Sequence, residues 1–545
     1  MKVGDDMNAL PKIFVKIFSA LAAFIFFATA NAAEVDSYFV WEIKNPEQYK
    51  GHEQIFNWLN KEGKGIFTER ETIYGELQNG NYYFASYAAE LTEAEQKIAL
   101  GEKFFDDGLV ELTAKLYLLA DDFDKAEKKI NFLLDNAQDD STKIRALNLK
   151  SDLLNRTKNF SESLKVSEEV ELLLQKNPDA KLNLINQSRM AKAYGGLNEI
   201  QKSLATAEKI YPQMQKIFGK ANIETLSIMS TLAEDYKKLQ RYEDSLKILE
   251  DKNNFIVERY GKNNPTLIAK NFFELAELCF AMKNTSQAEE FLNSISQLAK
   301  NLSTSGNHRV SLQLYKNLNE VAKKNLKNKN KIVLDSERGL AKEYSEIGDI
   351  NQSIEICRKI LPQLKNSFGE QSEAVTEILK VLSNNYKWLG KYQDSKKIID
   401  QRLKVCQKNY GDNSPQTLES LIDSADIFYR TGKYKTADKI LEDIEKNHGG
   451  VFEGDKKLKY DYLLAKAVGK ALNGEYGSST SMFKQIDSIR QEAFSENGFD
   501  VRSNRYFVER LKVLSKINLN SLSKNYTVAI LNFDKLLTSE YHPMI

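Results

Sequence analysis

A pattern of small, aromatic and glycine residues that returns at a fixed interval constrains this chain more than any other feature. Residues 382–395 read LSNNYKWLGKYQDS, and residues 424–437, which lie 42 positions further on, read SADIFYRTGKYKTA. A period between about 20 and 50 residues is typical of a repeat array, in which each unit buries its apolar face only against its neighbours. At 545 residues the chain is also too long for one core. We therefore expect stacked copies of one structural unit.

Two columns of small residues mark the unit along the chain. The first column is expected to open the second helix of each pair: Ala126, Ser163, Ser203, Ser245, Ala288, Ser353, Ser395, Ala437 and Ser479. The second column lies 12 residues earlier in each unit: Ala114, Ser151, Ala191, Ala233, Ala276, Ala341, Ser383, Ala425 and Ala467. Two helices approach closely where small side chains meet. The columns therefore predict an all-α fold of antiparallel helix pairs that cross at these positions.

An apolar or aromatic residue stands three positions before the first small column in every unit except one, where Thr285 takes its place. We interpret this residue as a plug that fills the hole between the two helices of a unit and the next helix. With the small columns and the turn glycines, it defines a predicted repeat core: Ala191, Tyr194, Ala233, Tyr236, Tyr242, Ala341, Tyr344, Gly390, Tyr392, Ala425, Gly432, Tyr434, Ala437 and Tyr476.

The turn between the two helices differs between the two halves of the chain. In the second half a glycine precedes the plug by two residues, at Gly348, Gly390, Gly432 and Gly474. In the first half the same place holds Asp121, Lys158, Asn198, Gln240 and Lys283. A helix C-terminus often needs a left-handed residue, which glycine adopts at the least cost and only Asn or Asp otherwise tolerate readily. We therefore expect the first half to be less regular.

One interval in the array is irregular. The small residues of the first column are 37 to 43 positions apart, but 65 positions separate Ala288 from Ser353. The gap contains a helical stretch at 310–322, followed by Lys323, Lys324, Lys327, Lys329 and Lys331. We interpret residues 301–335 as an irregular joint between two arms, 106–300 and 336–490. The lysines are read as a solvated loop, with an anionic docking patch as the alternative.

These columns resemble the tetratricopeptide repeat (TPR), and the 42-residue version is similar to the kinesin-light-chain-type subclass. The linkers add support, since Tyr260-Gly261-x-x-Asn264-Pro265 is repeated as Tyr410-Gly411-x-x-Ser414-Pro415. The resemblance covers roughly residues 106–490 and implies a right-handed superhelical solenoid that holds a peptide or protein in a concave face. Many repeats of the subclass line that face with an Asn-Asn pair, which this chain replaces with Ser230-Thr231, Lys380-Val381 and Ile422-Asp423.

A partner-binding surface follows from the resemblance, because the first helix of each unit lines the concave face in such arrays. The outward positions of the two most regular units are Lys380, Asn384, Lys387, Trp388, Asp426, Tyr429 and Arg430. Trp388 is the leading candidate, since a tryptophan beside cations is a typical interface anchor. The alternative is that Trp388 packs against the neighbouring unit.

The two ends of the chain differ from the array. Residues 1–32 read as a secretory signal, with lysines, an apolar run at 17–27 and the small-residue cleavage site at 30–32. That run is shorter than the roughly 20 residues of a membrane anchor, the alternative reading. We thus expect an exported protein, periplasmic or secreted, without a stable membrane span after cleavage. The aromatic-rich residues 33–105 are expected to form a small cap, or alternatively a ligand surface, and residues 491–545 a pair of capping helices.

Composition narrows the function further. The net charge of +1 disfavours nucleic-acid binding. Three cysteines, Cys279, Cys357 and Cys406, are read as free buried thiols, and four scattered histidines show no metal-ligand spacing. No phosphate-binding loop, nucleophile elbow or zinc-protease motif occurs in the sequence. We therefore predict no catalytic residue, no cofactor and no metal.

The function expected from the sequence is a non-enzymatic, exported scaffold for protein–protein interaction. Its partner would be a peptide or protein held in the concave face of the solenoid. The alternative is a regulatory or sensor arm of a separately encoded effector, such as a caspase-like protease of the CHAT type. A downstream reading frame that encodes a His-Cys protease would favour the alternative.

Overall fold

A computed structural model describes residues 80, 82–100, 106–261, 264–327 and 330–493. In this part of the chain the secondary structure is helical: α1 (Tyr82–Leu100), α2 (Asp107–Leu119), α3 (Phe123–Asp135), α4 (Asp140–Arg156), α5 (Phe160–Lys176), α6 (Ala180–Gly196), α7 (Ile200–Phe218), α8 (Ile223–Lys238), α9 (Tyr242–Tyr260), α10 (Pro265–Ala281), α11 (Thr285–Thr304), α12 (His308–Asn325), α13 (Lys331–Glu346), α14 (Ile350–Phe368), α15 (Glu373–Trp388), α16 (Tyr392–Tyr410), α17 (Pro415–Arg430), α18 (Tyr434–His448), α19 (Val451–Gly454), α20 (Lys456–Leu472) and α21 (Tyr476–Ala493). The signal sequence, most of the predicted cap and residues 494–545 lie outside the described residues.

Consecutive helices pack as antiparallel pairs, and the pairs stack along the chain. The first arm consists of α2/α3, α4/α5, α6/α7, α8/α9 and α10/α11, and the second arm of α13/α14, α15/α16, α17/α18 and α20/α21. The first helix of a pair also contacts the first helix of the next pair, as α4 and α6 do. This row of first helices, called the inner helices below, lies on the inside of the curve. The predicted all-α solenoid of helix pairs is confirmed.

The small columns do more than permit close approach. Ser203 Oγ donates a hydrogen bond to the Ala191 carbonyl at 2.7 Å, which ties the start of α7 to the middle of α6. The same 12-residue bond recurs from Ser245 to Ala233, from Ser353 to Ala341 and from Ser395 to Ser383. All of these residues are buried. Serine and alanine both occur in the first column because both side chains are small enough for the helix crossing. The serine hydroxyl also has a buried carbonyl acceptor there.

The turns of the first arm are as regular as those of the second, so the expectation of a less regular first half is wrong at this point. Left-handed backbone occurs in both halves. In the first half φ lies between 56° and 65° at Asp121, Lys158, Asn198, Gln240 and Lys283, and in the second half it lies between 68° and 87° at Gly348, Gly390, Gly432 and Gly474. The following amide returns to the helix end in both halves: Arg241 N donates to Tyr236 O and Lys391 N to Tyr386 O, each at 2.9 Å. Packing of the helix pairs imposes the turn whether or not glycine occupies it.

The plug residues are less buried than the small columns. The side chains of Tyr242, Tyr392 and Tyr434 are half-buried, in contrast to the fully buried Ala425 and Ala437. The aromatics of the inner helices, Tyr194, Tyr236 and Tyr344, are half-buried as well. Tyr476 begins α21, and its side chain lies outside the described part. The plug therefore seals the edge of each unit, while the small residues form its centre.

The region predicted as an irregular joint is a regular part of the stack. Residues 308–325 form α12, and α13 begins at Lys331. Helix α11 is the second helix of one pair, since it packs on α10, and it also serves as the first helix for α12. Of the basic cluster, Lys323 and Lys324 lie in the last turn of α12, where Lys323 pairs with Glu337 at 2.8 Å. One extra helix, rather than a loop, thus accounts for the long interval.

Helix α1 closes the first arm. It packs beside α2, where Glu93 accepts hydrogen bonds from Thr113 and Lys129. Its start reaches the far end of the arm, because Thr266 donates to the Gly80 carbonyl at 3.0 Å and Asn264 to the Tyr82 hydroxyl at 3.1 Å. The first and last units of this arm are therefore in direct contact. Within the described residues, none of the helices combines the length and apolar character that a bilayer crossing requires.

Candidate partner-binding surface

The leading candidate residue lies at the end of an inner helix. Trp388 is the last residue of α15 and is 66% exposed, and the adjacent Leu389 is 40% exposed. The side chain therefore does not pack into the neighbouring unit, which was the alternative interpretation. A helix C-terminus exposes its last turn beyond the packed face. The turn thus presents two large apolar side chains together at the surface.

Charged residues connect the inner helices next to Trp388. The Lys387 ammonium contacts the Asp426 carboxylate at 3.0 Å, and the Arg430 guanidinium contacts it at 2.9 Å. Burial opposes ionisation of Asp426, but the charges of Lys387 and Arg430 outweigh it and hold its pKa below the ordinary range. These three predicted site residues therefore form one rigid ion cluster across α15 and α17, beside Trp388.

A column of carboxylates follows the inner helices of the second arm at 42-residue intervals: Asp335, Glu377, Glu419 and Asp461. Arg338 bridges to Glu377 on the next unit at 3.1 Å, and Lys380 bridges to Glu419 in the same way. Each cation stands 39 positions before the acid that it binds. The repeat thus produces a ladder of ion pairs between units. The fixed spacing of the four acids was the sequence signal that could have revealed it.

The ladder ends at Asp461 because no cation stands 39 positions before this acid. Ile422 takes the place that Arg338 and Lys380 occupy in the two preceding units. Asp461 makes no ion pair with any residue of the described chain, and burial together with the Glu419 charge raises its pKa to about 7. Arg402, which is buried below, is engaged by Glu419 and Asp423 instead. One inner-face carboxyl is therefore left without a counterion.

Tyr429 was predicted to face outward, and this is wrong. It is 2% exposed, its hydroxyl donates to Asp438 at 2.5 Å, and its ring lies against Gly469 on α20. The inner helices α17 and α20 pack closely enough that the ring covers the glycine backbone. Burial and the Asp438 charge raise the pKa of the phenol.

Two further predicted site residues lie on α15. Lys380 forms an ion pair with Glu419, and Asn384 is half-buried.

The inner face of the first arm carries a second polar network, which sequence reasoning missed. Asp152 binds Arg156 at 3.0 Å and lies 4.0 Å from Lys192. Lys270 on α10 donates to the Leu119 carbonyl of α2 at 3.4 Å, across the closed arm. Burial, with help from the charge of Arg156, lowers the pKa of Lys192 to about 8. No local motif marks this network because its members come from four helices far apart in sequence.

Residues with intrinsic reactivity are held inside the repeat units. Cys279, Cys357 and Cys406 are free and buried, as predicted. Burial raises the pKa of the Cys279 and Cys357 thiols to about 12, so neither is an activated nucleophile. Over the residues that the structure describes, histidine, cysteine and carboxylate side chains form no group able to hold a metal ion.

Stacked antiparallel pairs, left-handed turns and a curved inner row define an α-solenoid of helical repeats. A family model described as tetratricopeptide repeat matches residues 375–447. The same 12-residue bond and the same turn extend from the matched segment through both arms. Residues 375–447 therefore match the tetratricopeptide repeat, as the columns predicted.

Solved structures of the same general architecture are distant in sequence. A Rap protein complexed with competence and sporulation factor is 12% identical over 72% of this chain and 97% of its own, with a TM-score of 0.33. Aspartyl phosphate phosphatase F of Bacillus subtilis is 13% identical over 73% of this chain and 94% of its own, with a TM-score of 0.34. A putative kinesin light chain from Podosopora anserina is 16% identical over 42% and 97%, with a TM-score of 0.21. No curated protein sequence matches this chain.

Proposed function

We propose that this protein is a non-catalytic, exported scaffold that binds a protein or peptide through the inner helices of its second arm. The observation that carries the proposal is the exposure of Trp388 beside the Lys387–Asp426–Arg430 cluster. Tryptophan is enriched among the residues that dominate binding energy at interfaces, and the adjacent exposed Leu389 extends the apolar surface of Trp388. Its burial by a partner contributes about 2–3 kcal/mol from apolar area alone.

The second arm is the better candidate of the two because, among the described residues, no hydrogen bond or ion pair joins its first unit to its last. In the first arm α1 and α2 reach α10 directly, through Thr266 and Lys270, so the inner helices already contact one another across the curve. In the second arm the ion pairs of the described residues join groups of one unit or of adjacent units, and Asp461 forms no ion pair with the described chain. A protein partner with a basic side chain would complete the ladder at that point.

The test is a crosslinking pull-down from the native envelope fraction with wild type and Trp388→Ala. Leu172→Ala is the matched control, because Leu172 is 61% exposed on α5, outside the proposed surface. We expect Trp388→Ala to cost about 2 kcal/mol of binding, roughly a 30-fold loss, and Leu172→Ala to leave capture unchanged. Equal capture by Trp388→Ala and wild type would refute the proposed surface. Tyr429 is unsuitable for such a test, since its substitution would disturb the core.

Export is the second part of the proposal, and residues 1–32 support it. Expression of the full chain with a C-terminal tag, followed by cell fractionation and mass spectrometry of the mature N-terminus, tests it directly. We expect the tag outside the cytoplasm and an N-terminus near residue 33. A full-length cytoplasmic product would refute export while leaving the binding surface untouched.

A further inference from the structure

A pocket of about 100 Å³ lies on the inner face of the first arm, between α2, α4, α6 and α8. It is separate from the surface around Trp388, which belongs to α15. Leu149, Leu182, Ile185 and Phe218 form its apolar wall, and the last three are only partly buried, so the pocket opens to solvent on their side. A volume of this size holds several water molecules or a small organic group.

Asn148 lines this pocket with a carboxamide that has no partner. The residue is 3% exposed, yet neither Nδ2 nor Oδ1 forms a hydrogen bond with the described chain. A buried polar group without a partner costs about 1–3 kcal/mol, and here the donor and the acceptor are both unpaired. Asn155, two turns further along α4, bears this cost at Oδ1 only, since its Nδ2 donates to the Arg189 carbonyl at 2.9 Å.

Glu224 adds an atom without a partner to the two of Asn148 in the same pocket. One of its carboxylate oxygens accepts a hydrogen bond from Arg189 at 2.5 Å, whereas Oε2 has no partner although the residue is 4% exposed. Asn148 and Glu224 together therefore lack three complementary groups: two donors, for Asn148 Oδ1 and Glu224 Oε2, and one acceptor, for Asn148 Nδ2.

The charges around the pocket are already balanced within the chain. Glu111 is paired with Lys115 at 2.7 Å and with Arg145 at 2.7 Å, and Arg189 is paired with Glu224. Arg145 also binds Asp107 at 2.8 Å. An ionic ligand would have to break one of these pairs and bury an uncompensated charge, which is costly in a site of low polarity. The lining thus favours a neutral ligand.

We propose that this pocket binds the primary carboxamide group of a small molecule with a short apolar stem. The –NH₂ of such a group has two donors, which would serve Asn148 Oδ1 and Glu224 Oε2, and its carbonyl would accept from Asn148 Nδ2. A carboxylate lacks the donors and would face Glu224, and an N,N-dialkyl amide lacks both N–H groups. The stem packs on the wall of Leu182, Ile185 and Phe218.

The occupant is a small molecule rather than an extended chain. The pocket has room for only a few heavy atoms. The contacts from Gly80 to Thr266 and from Leu119 to Lys270 join the two ends of the arm around it.

The experiment uses the full-length protein and three probes with the same apolar stem: isobutyramide, its isostere isobutyrate, and the larger N,N-dimethylisobutyramide. Saturation-transfer NMR titration measures the dissociation constant of each. Because a ligand of six heavy atoms makes few contacts, we expect isobutyramide to bind with a dissociation constant of about 1–10 mM and the other two at least about tenfold more weakly. Equal signals from the three probes, or no isobutyramide signal at about 50 mM, would overturn the proposal and leave a pocket filled by water only.

Two variants of α4 distinguish a binding role of Asn148 from a structural one. Asn148→Leu removes the unpaired atoms at similar volume, so we expect loss of isobutyramide binding together with an unchanged or raised melting temperature. Asn155→Leu is the matched control, since it breaks an existing buried hydrogen bond and should lower the melting temperature while isobutyramide still binds. Retention of binding by Asn148→Leu, or a drop in its stability as large as that of Asn155→Leu, would contradict the assignment.

Discussion

Ser311 Oγ donates a hydrogen bond to the Ala299 carbonyl at 2.8 Å, and both residues are fully buried. This is the bond that joins the two helices of the repeat units, again over 12 residues. It shows that α11 and α12 cross as a repeat pair even though α11 is already the second helix of the pair with α10. Ser311 stands 23 residues after Ala288 and 42 before Ser353. The second arm therefore continues the register of the first after the insertion of a single helix.

The first prediction concerns this crossing. Ala299→Leu places a larger side chain where α11 and α12 touch, and overpacking of this kind costs about 1–3 kcal/mol. We expect the melting temperature to fall clearly. Asn293→Leu, at an exposed position of the same helix, is the control and should change it little. If both variants melt alike, α11 and α12 do not cross at Ala299.

Sequence periodicity was sufficient for the fold in most of the chain but not at this helix. The columns around Ala191, Ser203, Ser383 and Ser395 are spaced as regular units, and the structure confirms them. Ala299 and Ser311 match the same two columns, yet Ser311 follows Ala288 by only 23 positions. This interval is too short for a complete repeat unit, so the spacing of the columns did not identify the pair. A helix with small residues on two faces can serve two pairs, and spacing alone does not distinguish that case from a loop.

The second prediction uses the left-handed turns. Lys158 and Gln240 adopt φ values of 64° and 61°, which cost a non-glycine residue about 1–2 kcal/mol. Part of the gain from glycine is lost through the greater entropy of the unfolded chain. We therefore expect Lys158→Gly and Gln240→Gly to raise the free energy of unfolding by about 0.5–1 kcal/mol each. In contrast, Lys165→Gly inside α5 should lower it by about 1 kcal/mol, as measured by urea titration.

The third prediction tests the close packing of α17 on α20. A side-chain carbon at Gly469 would collide with the Tyr429 ring, so Gly469→Ala should destabilise by about 1–3 kcal/mol despite the helix preference of alanine. Gly477→Ala on α21 is the control, because no atom lies within 4 Å of the added carbon, and it should be neutral or stabilising. In a Tyr429→Leu background, Gly469→Ala should destabilise the protein less than it does in the wild type. An equal penalty there would mean that the ring is not the obstacle.

The candidate site could be predicted only in part, because the position on a helix face does not fix burial. Trp388 and Tyr429 occupy neighbouring outward positions in successive units, yet one is exposed and the other is covered by the next inner helix. The difference arises at Gly469, which lets α20 approach α17. In the same way Asn148 and Glu224 come together from helices about 75 residues apart, a juxtaposition that depends on the curvature of the arm rather than on any local motif.

The last prediction follows from the end of the charge ladder at Asp461. Its pKa is raised from 3.8 to about 7 in the folded protein, while the unfolded chain keeps the ordinary value. Between about pH 4 and pH 7 the unfolded state therefore releases a proton that the folded state retains, so stability falls as the pH rises and levels off above pH 7. Asp461→Asn removes this loss.

We expect Asp461→Asn to match wild type near pH 4 and to exceed it by about 1–2 kcal/mol at pH 8, after allowance for the partial exposure of the group. Asp394→Asn is the control, because Asp394 is exposed at the start of α16. Its replacement should change the free energy of unfolding by a similar amount at both pH values. Urea unfolding at the two pH values measures the difference. A gain at pH 4 as large as that at pH 8 would show that the carboxyl ionises normally and that its lack of a counterion has no energetic consequence.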